Sequence, residues 1–193
     1  MSTYLDANYW QNRYENNQVG WDLGIASDPI VNYINQLTDK NLNILIPGCG
    51  NAYEAEYLFK NGFKNVFVID LAESPLENFK NRVPEFPNSN LIQGNLFELN
   101  QTFDLIIEQT MFCAIDPKLR KAYVQKVGEL LAPTGKFVGL LFNREFIGGP
   151  PFGGNKEEYL TYFSSCFRLT SMETCYNSIA PRSGTELFFI AKK

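Results

Sequence analysis

The sequence contains no histidine, which excludes mechanisms that depend on an imidazole, including serine and cysteine triads and most catalytic zinc sites. Its cysteines, Cys49, Cys113, Cys166 and Cys175, show no C-x-x-C spacing, and we interpret them as free buried thiols. No apolar run approaches the ~18–20 residues of a membrane span, and residues 1–6 lack the features of a signal peptide. We therefore expect a cytoplasmic protein with no metal site and no membrane attachment.

The charge balance also narrows the possible partners. Seventeen basic and 21 acidic residues give a net charge of −4, so the chain lacks the electrostatic footprint of a nucleic-acid binder. Apolar residues make up 45% of the 193 positions, which is enough for the core of one domain and excludes wholesale disorder. We expect a single domain over residues 1–193. Because no exposed heptad or repeat appears, we expect a monomer.

Short apolar runs alternate with amphipathic stretches, an order typical of an open parallel sheet covered by helices. The pattern predicts strands over residues 42–46, 65–69, 90–93, 103–107 and 136–142. It predicts helices over residues 52–61, 74–82, 116–131 and 156–163, and Ser74 reads as the N-cap of the second of these. A terminal hairpin over residues 167–176 and 186–191 would add one antiparallel strand. The sequence thus predicts an α/β fold.

A glycine-containing loop with Gly48 and Gly50 follows the first predicted strand, where open parallel sheets bind ligands. Asp70 ends the next strand about 20 residues later, the spacing at which an acidic residue contacts ribose hydroxyls. Tyr53 occupies the third position of the dinucleotide fingerprint, where a small residue is needed, so S-adenosylmethionine (SAM) is a better candidate than NAD. A tight turn without a ligand is the simpler alternative, but the position of Asp70 favours binding.

Both tryptophans of the chain lie in the N-terminal segment, residues 1–37, which we call the leader. Trp10 and Tyr14 are four positions apart and share a helix face, and Trp21 follows. Packing at the edge of the domain is one interpretation of this segment. Aromatic faces also suit a sulfonium, because a cation over a ring gains about 0.5–2 kcal/mol.

Several segments together resemble the thiopurine S-methyltransferase superfamily, and more closely its thiol/halide methyltransferase branch. These segments are residues 9–14, 20–24, 46–50, 69–72, 103–107, 112–117, 149–152 and 181–186. The resemblance implies a Rossmann-like class I SAM-dependent methyltransferase, with a mostly parallel seven-stranded sheet, one antiparallel strand and helices on both faces. It also implies that the leader covers the cofactor. With Gly50 from the glycine loop, the expected cofactor contacts are Trp10, Tyr14, Trp21, Gly48, Gly50, Asp70, Asn95, Leu96 and Gln109.

Three of these positions depart from the residue usual in the closest branch. Tyr14 replaces a tryptophan and keeps an aromatic face. Asn95 stands where an aspartate usually accepts the adenine amino group, and an amide oxygen can also accept that bond. Gln109 replaces a tyrosine near the reacting centre, which bears on the methyl acceptor more than on the cofactor.

The predicted reaction is methyl transfer from SAM to a small soft nucleophile (thiol, sulfide, halide or thiopurine-like) by in-line displacement. A thiolate or halide needs no general base, which fits the lack of histidine. With residues 148–154 as a lid, the expected acceptor-side residues are Phe112, Cys113, Arg144 and Phe152. Core packing is the alternative role for Phe112 and Cys113.

Two other functions remain open at this point. Asn95 and Gln109 leave room for a SAM-binding protein without catalytic activity. A nicotinamide-dependent oxidoreductase would share the sheet, but Tyr53 and the aromatic leader argue against it.

Overall fold

The computed structural model describes residues 5–193, so residues 1–4 of the leader and of the predicted single domain lie outside it. Its strands are β1 Asn43–Pro47, β2 Asn65–Asp70, β3 Leu91–Gln93, β4 Phe103–Gln109, β5 Leu131–Phe142, β6 Arg168–Thr174 and β7 Glu186–Lys192. They form one seven-stranded sheet in the order β3-β2-β1-β4-β5-β7-β6. Strand β7 runs antiparallel to both neighbours, and the other pairs are parallel. The predicted sheet is confirmed.

Helices cover both faces of this sheet, as predicted. They are α1 Ala7–Glu15, α2 Asp28–Ile34, α3 Tyr53–Lys60, α4 Glu73–Arg82, α5 Met111–Ala114, α6 Arg120–Leu130 and α7 Lys156–Phe163. Side chains of a strand alternate between the faces, so Ile44 and Ile46 of β1 pack into one core cluster and Leu45 into the other. The first cluster contains residues of α2, α3 and α4, and the second contains residues of α6 and α7.

The predicted cap of α4 is wrong. The helix begins at Glu73, one residue before Ser74, and its N-cap residue Ala72 has no side chain that could accept a hydrogen bond. Gln11 of α1 supplies the acceptor instead, because its Oε1 receives the backbone N–H groups of Glu73 and Ser74 at 3.0 and 3.1 Å. A side chain from the leader therefore caps a helix of the main fold.

The boundary between α6 and β5 also differs from the prediction. Residues 117–119 form a short 3₁₀ turn capped by Asp116, and α6 begins only at Arg120. Strand β5 begins at Leu131 rather than at residue 136, because Leu131 pairs with Phe103 before the register shifts. Residues 132–135 bulge between that pair and the next one, which joins Leu105 to Lys136.

No helix within residues 5–193 has the length and apolar character needed to cross a bilayer. The same residues contain no group of three or more acidic or cysteine side chains placed to hold a metal ion. All four cysteines are free, and Cys49, Cys113 and Cys175 are buried as predicted. Cys166 is only half-buried, which corrects the expectation for that residue.

Candidate functional site

A cavity of about 340 Å³ lies at the carboxyl ends of β1, β2 and β4. Its wall combines the loop after β1, the end of β2, the segment after β3, the turn after β4, the leader and the loop after β5. The predicted cofactor residues that line it are Trp10, Tyr14, Trp21, Gly48, Asp70, Asn95 and Leu96. The structure thus brings together seven of the nine residues that the sequence suggested, although they come from distant parts of the chain.

The glycine loop after β1 brings its backbone close to the leader and to the turn after β4. Gly48 and Gly50 have φ values of 55° and 51°, a left-handed conformation that favours glycine. A Cβ on Gly48 would lie 2.5 Å from Sδ of Met111, and a Cβ on Gly50 would lie 2.8 Å from the hydroxyl of Tyr14. Gly50 does not itself line the cavity, and its contribution is the backbone N–H described next.

Asp70 is held by two backbone hydrogen bonds at the end of β2. Its Oδ2 accepts from the N–H of Gly50 at 2.9 Å, and its Oδ1 accepts from the N–H of Ala72 at 3.0 Å. Burial raises the pKa of Asp70, and these hydrogen bonds oppose that shift. Each carboxylate oxygen keeps a further lone pair, so Asp70 can accept hydrogen bonds from the two hydroxyls of a ribose.

Aromatic rings from the leader form one wall of the cavity. The rings of Trp10 and Tyr14 meet Trp21 edge to face, with centroids 5.6 and 5.8 Å apart. Burial, followed by the nearby carboxylate of Asp70, raises the pKa of Tyr14, so its phenol stays neutral at physiological pH. Such a wall offers uncharged π faces to a sulfonium.

Polar contacts fix the later part of the leader to the fold. The side-chain amide of Asn51 donates to the carboxylate of Asp22, close to the glycine loop. Nη2 of Arg182 donates to the backbone oxygen of Trp21 at 2.8 Å, and its guanidinium lies 5.5 Å from the ring centroid of Phe142. The leader is thus attached both to the loop after β1 and to the segment before β7.

The predicted cofactor residues Asn95 and Gln109 differ in their position and in their hydrogen bonds. Asn95 lines the cavity, its Oδ1 accepts from the N–H of Phe97 at 3.1 Å, and its Nδ2 donates to Glu98 at 3.2 Å. Gln109 ends β4 but is not among the lining residues. Its Oε1 is buried and has no hydrogen-bond partner in the described part of the chain. The amide oxygen of Gln109 therefore remains available to a donor.

Of the predicted acceptor-side residues, Cys113 alone lines this cavity. Phe112 is 1% exposed and packs its ring against Tyr159 and Tyr123, with centroids 5.4 and 5.8 Å apart, which corresponds to the core-packing alternative. Arg144 is exposed, and its guanidinium lies 4.6 Å from the ring centroid of Phe146. Its backbone oxygen accepts from Gly154, at the base of the loop after β5.

Phe152 acts on the cavity through its backbone. Its N–H donates to the oxygen of Cys113 at 2.7 Å, and its own oxygen accepts from the buried guanidinium of Arg120 at 3.2 Å. The loop predicted as a lid reaches the cavity through Pro150 and Pro151.

Several residues that line the cavity are not among the predicted site residues. They include Gly94, Thr110, Met111, Asp116, Leu119, Pro150 and Pro151. The two prolines belong to the segment at residues 149–152 that carried part of the resemblance, so that segment could have indicated them. The turn at Thr110 has a left-handed φ of 69°, and no residue type in the sequence marks it.

The charges around the cavity are of one sign. Among residues 5–193, its charged lining residues are Asp6, Asp70 and Asp116, and no lysine or arginine lines it. A pyrophosphate would find no cation there, whereas a sulfonium would be favoured. The buried carboxylate of Asp70, the aromatic wall and the negative charge fit SAM and argue against a nicotinamide dinucleotide.

Comparison with known proteins agrees with this assignment. Over residues 5–188 the sequence matches the thiopurine S-methyltransferase (TPMT) family. A probable thiol methyltransferase 2 from Arabidopsis thaliana is 28% identical over 184 residues, covering 92% of this chain and 81% of the relative. Thiocyanate methyltransferase 1 from Brassica oleracea has the same identity and coverage. The thiopurine S-methyltransferase of Vibrio cholerae is 23% identical over 180 residues, covering 83% of this chain and 82% of that protein.

Solved structures show the same fold. A 1,6-didemethyltoxoflavin-N1-methyltransferase from Burkholderia thailandensis, with bound S-adenosylhomocysteine (SAH), aligns with a TM-score of 0.78 at 17% identity, covering 97% of this chain and 86% of that one. A TehB-like SAM-dependent methyltransferase from Corynebacterium glutamicum aligns with a TM-score of 0.68 at 19% identity, covering 97% and 98%. The predicted class I fold is confirmed. The chain therefore belongs to the thiopurine S-methyltransferase family of SAM-dependent methyltransferases.

Proposed function

We propose that the protein transfers the methyl group of SAM to a small soft nucleophile of the thiol, sulfide, halide or thiopurine type. The observation that carries this proposal is the cavity, which joins Asp70 and the leader's aromatic wall to a side that contains no imidazole base. Relatives named as thiol, thiocyanate and thiopurine methyltransferases support the same class of acceptor.

On the cofactor side, the role of the protein is to bind SAM and to orient its methyl group. When bound, SAM supplies an electrophilic methyl group on a positively charged sulfur. Asp70 and Asn95 both line the cavity. We propose that Asp70 accepts hydrogen bonds from the ribose hydroxyls and that Asn95 accepts one from the adenine amino group. Trp10, Tyr14 and Trp21 line the cavity, and we propose that they exclude water from the bound cofactor. Exclusion of water and alignment are what an in-line displacement requires of a protein.

On the acceptor side, the wall supplies shape rather than a base. Burial raises the pKa of the Cys113 thiol to about 12, so it is neutral at physiological pH, and it donates to the oxygen of Thr110 at 3.0 Å. A neutral thiol held in this way neither attacks the methyl group nor removes a proton. An acceptor that is already ionised, such as a thiolate or halide, needs no proton removed.

The residues behind this wall hold it in place. Phe112 packs beneath the turn that carries Cys113. Two backbone hydrogen bonds fix the loop that carries Pro150 and Pro151. In one, the N–H of Phe152 donates to Cys113, and in the other, the N–H of Gly154 donates to Arg144. We propose that these residues affect the acceptor through the loop and not by direct contact.

Titration with SAH by calorimetry tests the cofactor assignment. Asp70→Asn removes the charge that would receive the ribose hydroxyls, and we expect about tenfold or greater loss of affinity, as for a hydrogen bond to a charged group. Asp104→Asn is the matched control, because Asp104 also accepts a backbone N–H, from Asn43 at 2.9 Å, but does not line the cavity. Folded wild-type protein that fails to bind SAH would contradict the proposal.

Product assays then identify the acceptor. Formation of SAH is measured with small thiols, sulfide, iodide, thiocyanate and thiopurines at saturating SAM. Turnover with any of these classes is the expected result. Tight SAH binding without turnover on all of them would instead indicate a SAM-binding protein without catalytic activity.

We also propose that the protein is cytoplasmic and monomeric. The free cysteines support a reducing compartment, because disulfides persist in oxidising ones. Sedimentation velocity of the purified protein tests the monomer, and a dimer at micromolar concentration would contradict it.

A further inference from the structure

A buried carboxyl group lies behind the wall of the cavity, near the end of β4. Glu108 is fully buried, with 0% of its surface exposed. Its Oε1 accepts the backbone N–H of Phe112 at 2.8 Å, and its Oε2 accepts the hydroxyl of Tyr123. Neither the cofactor contacts nor the acceptor wall described above uses this group, so its burial needs another explanation.

The turn that Glu108 holds forms part of the cavity. Thr110 adopts a left-handed φ of 69°, which non-glycine residues seldom adopt and which surrounding contacts must maintain. Thr110, Met111 and Cys113 line the cavity, whereas Phe112 points into the core. The hydrogen bond from Phe112 to Glu108 thus reaches the centre of the turn from the core side.

Strand β5 leaves room for this arrangement. Gly139 is the register partner of Glu108, and a Cβ there would lie 2.5 Å from Cβ of Glu108. Any larger residue at position 139 would collide with the strand that carries the carboxyl group. The approach of the two strands and the burial of Glu108 are therefore linked.

We propose that Glu108 is a positioning residue, whose ionised carboxylate, held by Tyr123, fixes the turn Thr110–Cys113 as the wall of the methyl-transfer site. This inference rests on the proposed function for its kinetic consequence. Its structural consequence, the state of the turn, can be measured without cofactor or acceptor.

The groups around Glu108 leave it as the one that titrates near neutral pH. Tyr123 faces it from α6, Cys113 from α5 and Tyr159 from α7. Burial raises the pKa values of Tyr123, Cys113 and Tyr159, so these groups stay neutral. The guanidinium of Arg120 pairs with another carboxylate, Glu158, at 2.8 Å. Burial raises the pKa of Glu108 to about 7, which its hydrogen bonds offset only in part.

The first experiment follows the ¹⁵N chemical shift of the Phe112 amide between pH 5.5 and 8.5 in the protein without ligands. We expect an inflection near pH 7 in the wild type and none in Glu108→Gln, whose amide keeps the shape without the charge. Tyr123→Phe should move the inflection to higher pH, because it removes a donor to the charged form. Tyr33→Phe is the matched control, since the hydroxyl of Tyr33 is buried without a partner in the described chain. A wild-type shift without an inflection would overturn the proposal.

The second experiment measures KM and kcat for iodide or thiocyanate, acceptors that stay ionised over the same pH range, at saturating SAM. We expect the wild-type KM to rise as the pH falls through 7. The KM of Glu108→Gln should be independent of pH and about fivefold higher than the wild-type value at pH 8, which is the effect of one lost hydrogen bond. Tyr33→Phe should match the wild type, and SAH affinity reports any effect on the cofactor side. A Glu108→Gln variant with wild-type KM and pH profile would refute the positioning role. If the wild type turns over no acceptor, the proposed function fails, while the amide titration still tests the turn.

Discussion

The buried carboxyl of Glu108 should make the fold less stable as the pH rises. Burial raises its pKa from 4.5 to about 7, so between these values the folded protein binds a proton that the unfolded chain releases. The free energy of unfolding therefore falls as the pH increases through this window. At 1.36 kcal/mol for each pKa unit, the loss attributable to Glu108 is about 3 kcal/mol between pH 4.5 and 7.

Urea unfolding of the wild type and of Glu108→Gln at pH 5, 6, 7 and 8 checks this magnitude. Far-UV circular dichroism is the suitable signal, because both tryptophans, Trp10 and Trp21, lie in the leader and report its attachment rather than unfolding of the sheet. We expect the stability difference between the two proteins to change by about 3 kcal/mol across this range in favour of the variant at high pH.

Other buried carboxyl groups do not affect the difference in unfolding free energy between the wild type and Glu108→Gln. Burial also raises the pKa values of Glu54 and Asp70, which lowers stability with rising pH in the same direction, but they are present in both proteins and cancel in the difference. Curves that run parallel from pH 5 to pH 8 would refute the reasoning, because they would show that Glu108 binds its proton equally in the folded and unfolded states. The ionised group that we infer to order the cavity would thus lower the stability of the fold.

Three further outcomes follow from the site. Gly48→Ala should destabilise the fold by about 1–2 kcal/mol and weaken SAH binding, because the φ of Gly48 is 55° and the new Cβ would meet Met111. Thermal unfolding measures the stability and calorimetry the SAH affinity. An unchanged SAH affinity would contradict the close approach of Gly48 and Met111. Arg120→Lys should raise the KM for the acceptor about fivefold and leave the SAH affinity unchanged, because lysine cannot keep the hydrogen bonds to Glu158 and to the backbone oxygens of Phe152 and Gly153. An equal loss of acceptor and SAH affinity would indicate general unfolding instead. Gln11→Ala should lower the free energy of unfolding, measured with denaturant, by about 1 kcal/mol, because it removes the side chain that caps α4. An unchanged free energy of unfolding would mean that water replaces this cap.

The sequence could reveal the cofactor side because that side depends on local patterns. A strand followed by glycines, with Asp70 at the end of the next strand, specifies where a nucleoside binds, since parallel strands end at one edge of the sheet. Trp10, Tyr14 and Trp21 were conspicuous because they are aromatic residues in a polar segment. The structure places all four of these side chains on the same cavity.

The acceptor side depends on contacts between distant residues, which the sequence does not display. Phe112 and Cys113 are neighbours, yet one packs into the core and the other lines the cavity, because consecutive residues of α5 point about 100° apart around the helix axis. The cap of α4 comes from Gln11, so the local pattern at Ser74 was misleading. Long-range contacts of this kind arise only once the fold has formed.

The way in which the leader is attached has a consequence for the rate of turnover. No residue of α1 is fully buried, and Gln11 joins the helix to α4 through polar contacts that water can replace. Neither core cluster contains a residue of α1, so detaching α1 leaves both clusters intact, although it separates the rings of Trp10 and Tyr14 from Trp21. We therefore expect α1 to detach at a lower free-energy cost than either core cluster. If SAH leaves only when α1 is detached, the opening of this short helix sets the residence time of the spent cofactor and limits kcat whenever transfer to the acceptor is fast.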